Sequence, residues 1–194
     1  LHPPPPPPDP LWSRGLGDVY KRQVCCPLSV DATKRIETVI KTISPLEVGI
    51  CVNNLEQMIS FYNEVLGFQL VSQIEVEAGK SKETGFTKGG YTIVRLQTNY
   101  GERIKLVRPK SDPDKRSTGN EVLSTAGNVF LTFIVNDLRM ALDTVAQHID
   151  NFRTENQIAE VRDGVFLSII DDPEGNHIEL VQYTSLKDYR PDLT

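Results

Sequence analysis

The chain has 194 residues and a formal net charge of −5, with 39% hydrophobic and 24% charged residues. This composition is typical of one globular domain with a sizeable core, and no stretch of it resembles a membrane span. Because phosphate binding needs clustered Lys and Arg, an acidic chain without a basic stripe argues against nucleic acid as the main partner. Its three cysteines do not form a disulfide framework, which favours a reducing cytoplasm.

The first 44 residues are interpreted as lying outside the domain. Residues 13–23, SRGLGDVYKRQ, match the in-frame translation of a common transposon-type sequencing adapter. The proline run before them is therefore interpreted as unrelated or misread sequence, so that residues 1–23 are artefactual. Residues 24–44 form an N-terminal extension whose pattern is compatible with a short helix or a strand entry. Neither segment is assigned a function.

The first predicted strand and helix meet at a Val-Asn-Asn-Leu motif. Residues 46–52 are extended, and Asn54 is a favourable N-cap. Apolar residues then follow at helical spacing: Leu55, Met58, Ile59, Tyr62, Val65 and Leu66. Three more strand-like stretches lie at residues 69–76, 91–97 and 103–107. Residues 78–90, between the first two, are expected to be a mobile surface loop.

The second half of the chain repeats this order. Val-Asn-Asp-Leu follows an extended segment at 129–135, and Asp137 caps a second amphipathic helix. Strands are then predicted at 157–161, 165–170 and 177–182. The duplication predicts an α+β domain over residues 45–184, built of two βαβββ modules. The parts of this organisation are the modules at 45–108 and 127–183, a linker at 109–126 and a C-terminal tail at 185–194.

Two segments make the pattern specific. EVGICVNNLEQMISFYNEVLGF at 47–68, followed by DDPEGNHIELVQY at 171–183, resembles the vicinal-oxygen-chelate superfamily, which includes glyoxalases, bleomycin-resistance proteins and extradiol dioxygenases. The resemblance covers residues 45–183. It implies that the two modules form an open, curved eight-stranded sheet around a cleft, often with a divalent metal, and that the chain forms a homodimer.

Strand alternation predicts which side chains face this cleft. If Val48, Ile50 and Val52 pack under the helix, the residues between them face the opposite side. Extending the alternation to the first and last strands of both modules gives one cleft-facing set: Glu47, Gly49, Cys51, Arg103, Lys105, Val107, Phe130, Thr132, Ile134, His177, Glu179 and Val181.

The resemblance also identifies the four positions at which metal-dependent relatives carry His and Glu. Here they are Glu47, Lys105, Phe130 and Glu179. A phenyl ring cannot coordinate, and an ammonium group repels a cation and offers no lone pair. We therefore expect no metal and no other cofactor, although Glu47 and Glu179 could still hold a weak ion with water. His177, on the strand face of Glu179, is interpreted as a partly exposed strand histidine.

Lys105 is the candidate replacement for the metal's charge. It would polarise a substrate carbonyl or hold a carboxylate, while Glu179 or Glu47 moves a proton. The alternative is a purely structural ion pair. Residues expected to contribute to ligand binding are Arg95, Gln97, Phe130, Cys51 and His177. Cys51 itself is interpreted as a small buried thiol, because no histidine is placed by sequence to activate it.

Two functional classes follow for a protein whose partner is a small organic molecule. One is a glyoxalase-like lyase or isomerase that works by proton transfer next to a carbonyl. The other is a non-catalytic binding or sequestration protein of the bleomycin-resistance type. An extradiol dioxygenase is disfavoured, because oxygen activation by non-haem iron needs a ligand triad that this sequence lacks. Neither a membrane nor a nucleic acid is an expected partner.

Overall fold

A computed structural model describes residues 42–114, 122–124, 126–149 and 158–193. The chain divides into two units, Leu1–Ile43 and Ser44–Thr194, and nearly all the described residues belong to the second. The predictions made for residues 1–41, including the interpretation of residues 1–23 as an artefact, lie outside the described residues. None of the helices in the described part is long and apolar enough to cross a membrane.

The first module contains four strands and two helices. In chain order its elements are β1 Glu47–Cys51, α1 Leu55–Ser60, a π-helical segment Phe61–Val65, β2 Gln69–Val76, α2 Ala78–Thr84, β3 Tyr91–Gln97 and β4 Arg103–Pro109. The strands form a sheet in the order β1-β4-β3-β2. β1 runs parallel to β4, and the other neighbours are antiparallel.

The second module repeats this arrangement. Its elements are β5 Leu131–Ile134, α3 Leu138–His148, β6 Ala159–Arg162, β7 Val165–Asp171 and β8 His177–Tyr183, followed by α4 Leu186–Tyr189 and a 3₁₀ turn Pro191–Leu193. The strand order is β5-β8-β7-β6, with β5 parallel to β8. The two βαβββ modules predicted from the duplication are confirmed, and their eight strands form two open four-stranded sheets.

The helix starts follow the predicted caps. The Asn54 side chain accepts a hydrogen bond of 3.2 Å from the Gln57 amide, and Asp137 accepts one of 2.9 Å from the Met140 amide. Each cap satisfies an amide that has no partner inside its own helix. The repeated Val-Asn-Asn/Asp-Leu motif is therefore the strand-to-helix junction of each module.

One hydrophobic core serves both modules. The inner faces of the two sheets and the buried sides of α1 and α3 contribute to a single cluster of buried residues. Val52, Met58, Tyr62, Leu138 and Val145 are all at most 1% exposed. The predicted alternation in β1 is confirmed, since Ile50 is buried and Gly49 and Cys51 are exposed. The outward face of β1 is therefore open to solvent.

The prediction that residues 78–90 form a loop was wrong for their first half, which is α2. The helix is anchored by Ser81, which is fully buried and donates a 2.9 Å hydrogen bond to the Thr87 carbonyl. Gly85 then ends the helix at φ +75°, a conformation that glycine adopts without strain. The segment is polar and has no apolar stripe, so its sequence did not predict a helix. The helix buries the Ser81 hydroxyl instead.

Candidate functional site

The outward face of the first sheet carries a cluster of polar side chains. The sheet register places Glu47 beside Arg103, and Arg103 beside Gln97. Two residues further along the strands, Gly49, Lys105 and Arg95 form the next row. The surface made by Glu47, Arg95, Gln97, Arg103 and Lys105 is called the polar face below.

Glu47 is the central group of the polar face. Its Oε1 lies 3.4 Å from Arg103 Nη1, and its Oε2 lies 3.6 Å from Lys105 Nζ. All three side chains are about one third exposed, at 30%, 36% and 33% respectively. Ion pairs this accessible to water contribute only about 0–1 kcal/mol each to stability. These ion pairs therefore contribute little to folding stability, and their side chains remain accessible to a ligand.

Two further polar side chains extend this arrangement across the sheet. Arg103 Nε donates a 2.5 Å hydrogen bond to Gln97 Oε1. Arg95 Nη1 donates a longer one, of 3.3 Å, to Ser72 Oγ. The cross-strand pairs thus put Arg95 and Gln97 on the same side of the sheet as Lys105. The sequence predicted that both residues would belong to the site if they shared this side.

The second module carries fewer polar groups at the equivalent place. Thr132 pairs with Glu179 in the register, and its hydroxyl donates a 2.7 Å hydrogen bond to Glu179 Oε2. Phe130 lies just before β5 and is 38% exposed. Among the described residues, no hydrogen bond or ion pair joins Glu179 to Glu47 or Lys105. The structure therefore joins Glu47 directly to Lys105, whereas Glu179 contacts Thr132 and, within the described ranges, neither of those two.

Two interpretations of individual residues were wrong. His177 is not partly exposed but buried, at 8% exposure, because it lies on β8, a central strand of its sheet; an Asp171 carboxylate oxygen lies 2.7 Å from its Nδ1. Cys51 is not buried but exposed, because it points outward from β1, which is an edge strand. Partial burial and the nearby Glu174 carboxylate raise the pKa of the Cys51 thiol, although Arg108 lowers it. That shift disfavours the thiolate a nucleophile would need.

The four metal positions of the family do not fit a divalent ion in this chain. The ammonium group of Lys105 lies 3.6 Å from one oxygen of Glu47, so a positive charge already accompanies that carboxylate. Phe130 has no donor atom. Within the described ranges, no group of three or more His, Cys, Asp and Glu side chains is placed to hold a metal. No catalytic step is therefore derived through a metal.

A cavity of about 960 Å³ adjoins the polar face along β1. Gly49 and Cys51 line it from the first module, and Glu174 and His177 line it from the second. The Glu174 carboxylate accepts hydrogen bonds from the backbone amides of Asn53 and Asn54, at 2.8 and 2.5 Å. The turn between β7 and β8 is thereby fixed to the strand-to-helix junction of the first module.

Sequence reasoning missed a buried polar pair behind this turn. Tyr62 Oη donates a 3.1 Å hydrogen bond to Asp172 Oδ2, and the two residues are 0% and 4% exposed. Burial raises the pKa of Asp172, although hydrogen bonds from Asn176, Glu174 and Tyr62 lower it. Burial and the adjacent Asp172 likewise raise the pKa of Tyr62. The Asp-Pro-Glu-Gly-Asn motif signalled a turn, but nothing in it pointed to a partner 110 positions earlier.

Comparison with known proteins agrees with this architecture. A profile of the Glyoxalase/Bleomycin resistance protein/Dioxygenase superfamily matches residues 44–180. The chain belongs to this superfamily. A search of curated protein sequences found no match. The resemblance seen in the β1–α1 and β7–β8 segments is therefore confirmed. The match covers nearly the whole of both modules.

Solved structures of the superfamily share the fold. A glyoxalase family protein from Bacillus cereus is 23% identical, with a TM-score of 0.64 over 76% of this chain and 99% of that one. Another from Enterococcus faecalis is 18% identical, with a TM-score of 0.51 over 74% and 99%. A glyoxalase I mutant from Zea mays is 17% identical, with a TM-score of 0.51 over 73% of this chain and 46% of its own. At these identities the likeness shows the fold.

Proposed function

We propose that this superfamily member binds a small organic molecule at the polar face and acts on it without a metal. The observation that supports this proposal is the Glu47–Lys105 pair, which puts an ammonium group at a position where metal-dependent relatives have a ligand. An ammonium can donate hydrogen bonds to a substrate oxygen and place positive charge where negative charge develops. The site would therefore use side chains in place of a Lewis acid.

The reaction that suits these groups is proton transfer at a carbon next to a carbonyl, as in a lyase or isomerase. Lys105 would donate a hydrogen bond to the carbonyl oxygen and stabilise the enolate that forms. Glu47, 3.6 Å from Lys105, or Glu179, oriented by the Thr132 hydroxyl, would accept the carbon-bound proton. In an α-hydroxy carbonyl substrate, the hydroxyl proton then moves to the former carbonyl oxygen and the carboxylate returns the carbon-bound proton to the former carbonyl carbon, which completes an isomerisation with no other reactant.

A second candidate is a binding protein that sequesters its ligand unchanged. This alternative is favoured because, in the described part of the chain, no direct contact unites Glu179 and Lys105 as an acid–base pair. Binding needs only the polar face and the adjoining cavity. Both candidates fit a cytoplasmic homodimer. Light scattering of the purified protein would test the dimer.

Proton exchange in D₂O separates the two candidates. The protein is incubated with hydroxyacetone or pyruvate, and NMR follows deuterium incorporation at the carbon next to the carbonyl. Enzymatic proton transfer predicts exchange above the buffer rate that falls at least about tenfold in Lys105→Met, the size of one lost charged hydrogen bond. Arg139→Met, which removes an exposed cation on α3, is the matched control. Binding without exchange, equally sensitive to Lys105→Met, would support sequestration.

A further inference from the structure

We infer that the polar face binds an organic carboxylate with an apolar body, its head group against Arg95 and Lys105 and its body over Ile93 and Val107. This inference rests on the proposed function, because it names the ligand class of the same site. It is supported by an excess of positive charge, by open space beside that charge and by an apolar strip that leads away from it.

The charges of the polar face do not balance. Arg95, Arg103 and Lys105 carry three positive charges, and Glu47 carries one negative charge, although the whole chain has a net charge of −5. Glu47 pairs with Arg103 and with Lys105. Arg95 has only the neutral hydroxyl of Ser72 as a partner, and no ion pair is found for it among the described residues. An anion placed beside Arg95 and Lys105 would complete this arrangement.

Space for the head group lies next to these cations. Gly49 is the cross-strand neighbour of Lys105, and Lys105 is the neighbour of Arg95. A Cβ atom built on Gly49 would have no heavy atom within 4 Å. The row therefore carries two long cationic side chains beside a position with no side chain. The space above Gly49 leaves Lys105 accessible from one side, and Lys105 and Arg95, as cross-strand neighbours, can both reach a carboxylate placed between them.

The next row along the strands is apolar. Val107 and Ile93 are cross-strand neighbours, and Ile74 pairs with Ile93. Ile74 is 42% exposed, and the other two are partly exposed. This row lies about 7 Å from the Arg95 row, the spacing of two residues in a strand. The body of a ligand held at Arg95 would therefore cover surface that water now reaches.

Aromatic side chains form the far end of the strip. Tyr91 begins β3 two residues before Ile93, and its ring lies 5.7 Å from that of Phe86 in an edge-to-face contact. Phe86 follows α2 and is 74% exposed. Tyr91 itself is buried, at 5% exposure, so the surface open to a ligand runs from Arg95 past Ile93, about 7 Å away, to Phe86, which suits a chain of about eight carbons. An inorganic anion would leave this strip uncovered, and a neutral apolar ligand would leave Arg95 unpaired.

The test is binding of three related probes to the full chain, measured by titration calorimetry. Octanoate has the head group and the apolar body, octanamide has the body alone, and acetate has the head group alone. We expect octanoate to bind at least about tenfold more tightly than either of the others, because each lacks one of the two contacts. These comparisons need no variant, so they do not depend on how a substitution affects folding.

Variants locate the site. Arg95→Met should weaken octanoate at least about tenfold and leave octanamide unchanged, whereas Ile93→Ser should weaken octanoate and leave acetate unchanged. Arg139→Met, on α3, should change none of them. Octanamide binding as tightly as octanoate, or octanoate binding unaffected by Arg95→Met, would overturn the inference. Those results would leave the proposed function standing if neutral hydroxyacetone still bound in a manner dependent on Lys105.

Discussion

The hydroxyl of Tyr62 donates a 3.1 Å hydrogen bond to the carboxylate of Asp172, across the core that the two modules share. Tyr62 lies in the π-helical segment of the first module, and Asp172 begins the turn between β7 and β8 of the second. Asp172 Oδ1 also accepts hydrogen bonds from the amides of Glu174 and Asn176, at 3.0 and 2.9 Å. One buried carboxylate therefore orders the turn and joins it to the other module.

Removing the hydroxyl of Tyr62 should destabilise the protein with little change in packing. Tyr62→Phe keeps the ring, which makes an edge-to-face contact with Phe68 at 5.8 Å, but leaves Asp172 without one donor. A buried polar group that loses its partner costs about 1–3 kcal/mol. We expect a loss of that size in chemical denaturation. Tyr100→Phe, at a residue 81% exposed, is the control and should change stability by less than about 0.5 kcal/mol.

Asp172 should make stability depend on pH in the acid range. Burial raises its pKa above the ordinary value of 3.8, so the folded state binds this proton more tightly than the unfolded state does. The contribution to stability is therefore fully present below about pH 3.8 and is lost as pH rises through the folded pKa. The stability of wild type relative to Asp172→Asn should decline over that window. Urea titrations at several pH values measure this difference, with the exposed Asp143→Asn as control.

A difference that does not change between pH 3 and pH 7 would contradict a raised pKa for Asp172. A difference that grows with pH would show instead that the hydrogen bonds from Asn176, Glu174 and Tyr62 outweigh burial. A difference that stays constant with pH is what a simple loss of packing in Asp172→Asn would give, whereas a difference that falls or grows with pH reports the titration of Asp172.

Local patterns in the sequence predicted most of the fold. Asn54 and Asp137 marked the helix starts, and alternation along β1 correctly separated buried Ile50 from exposed Gly49. Such features depend on neighbours within a few residues. The strands at residues 69–76 and 91–97 have their predicted bounds. α2 was missed because it has no apolar stripe: the side chain it buries is that of Ser81.

The contacts between distant parts of the chain could not be predicted in this way. His177 is buried on β8, a central strand, and Cys51 is exposed on β1, which lies at a sheet edge. Both facts depend on the order of strands in a sheet. Alternation did identify the face that carries Glu47 and Lys105, but where Glu179 lies relative to them depends on how the two modules pack. That relation has no local signal.

Ser168 offers a stabilising substitution. It is 1% exposed on β7, and its hydroxyl oxygen has no hydrogen-bond partner among the residues that the structure describes. Burying an unpaired hydroxyl costs free energy that an alanine methyl group does not. Ser168→Ala should therefore raise the free energy of unfolding by about 1 kcal/mol. A decrease of similar size in thermal or urea unfolding would show that the hydroxyl is satisfied in solution.

Glu174 should stabilise the junction between β1 and α1. Its carboxylate accepts hydrogen bonds from the amides of Asn53 and Asn54, and hydrogen bonds to a charged acceptor contribute about 1.5–3 kcal/mol. We expect Glu174→Ala to lower stability by about that amount and to increase amide hydrogen exchange at residues 53 and 54. Glu64→Ala, which removes an exposed carboxylate from the π-helical segment, should leave exchange at both amides unchanged.

The last prediction concerns the metal positions of the family. In this chain an ammonium group lies 3.6 Å from the Glu47 carboxylate, and Phe130 contributes no donor. A divalent ion would have to bind beside Lys105 and take most of its ligands from water, so we expect the purified protein to contain no stoichiometric Zn, Ni, Mn or Fe. Chelators should then leave the melting temperature unchanged, because an ion that is not bound contributes nothing to folding.

The converse substitution tests whether the four positions are assigned correctly. Lys105→Glu combined with Phe130→His replaces the ammonium with a carboxylate and the phenyl ring with an imidazole, giving three carboxylates and one imidazole in all. Calorimetric titration with Ni²⁺ or Zn²⁺ should detect binding to this double variant and none to the unmodified protein. Lys105→Met with Phe130→Leu, which removes the ammonium without adding donors, is the matched control. Stoichiometric metal in the unmodified protein, with a melting temperature that falls on chelation, would overturn both the metal-free proposal and the assignment of Glu47, Lys105, Phe130 and Glu179.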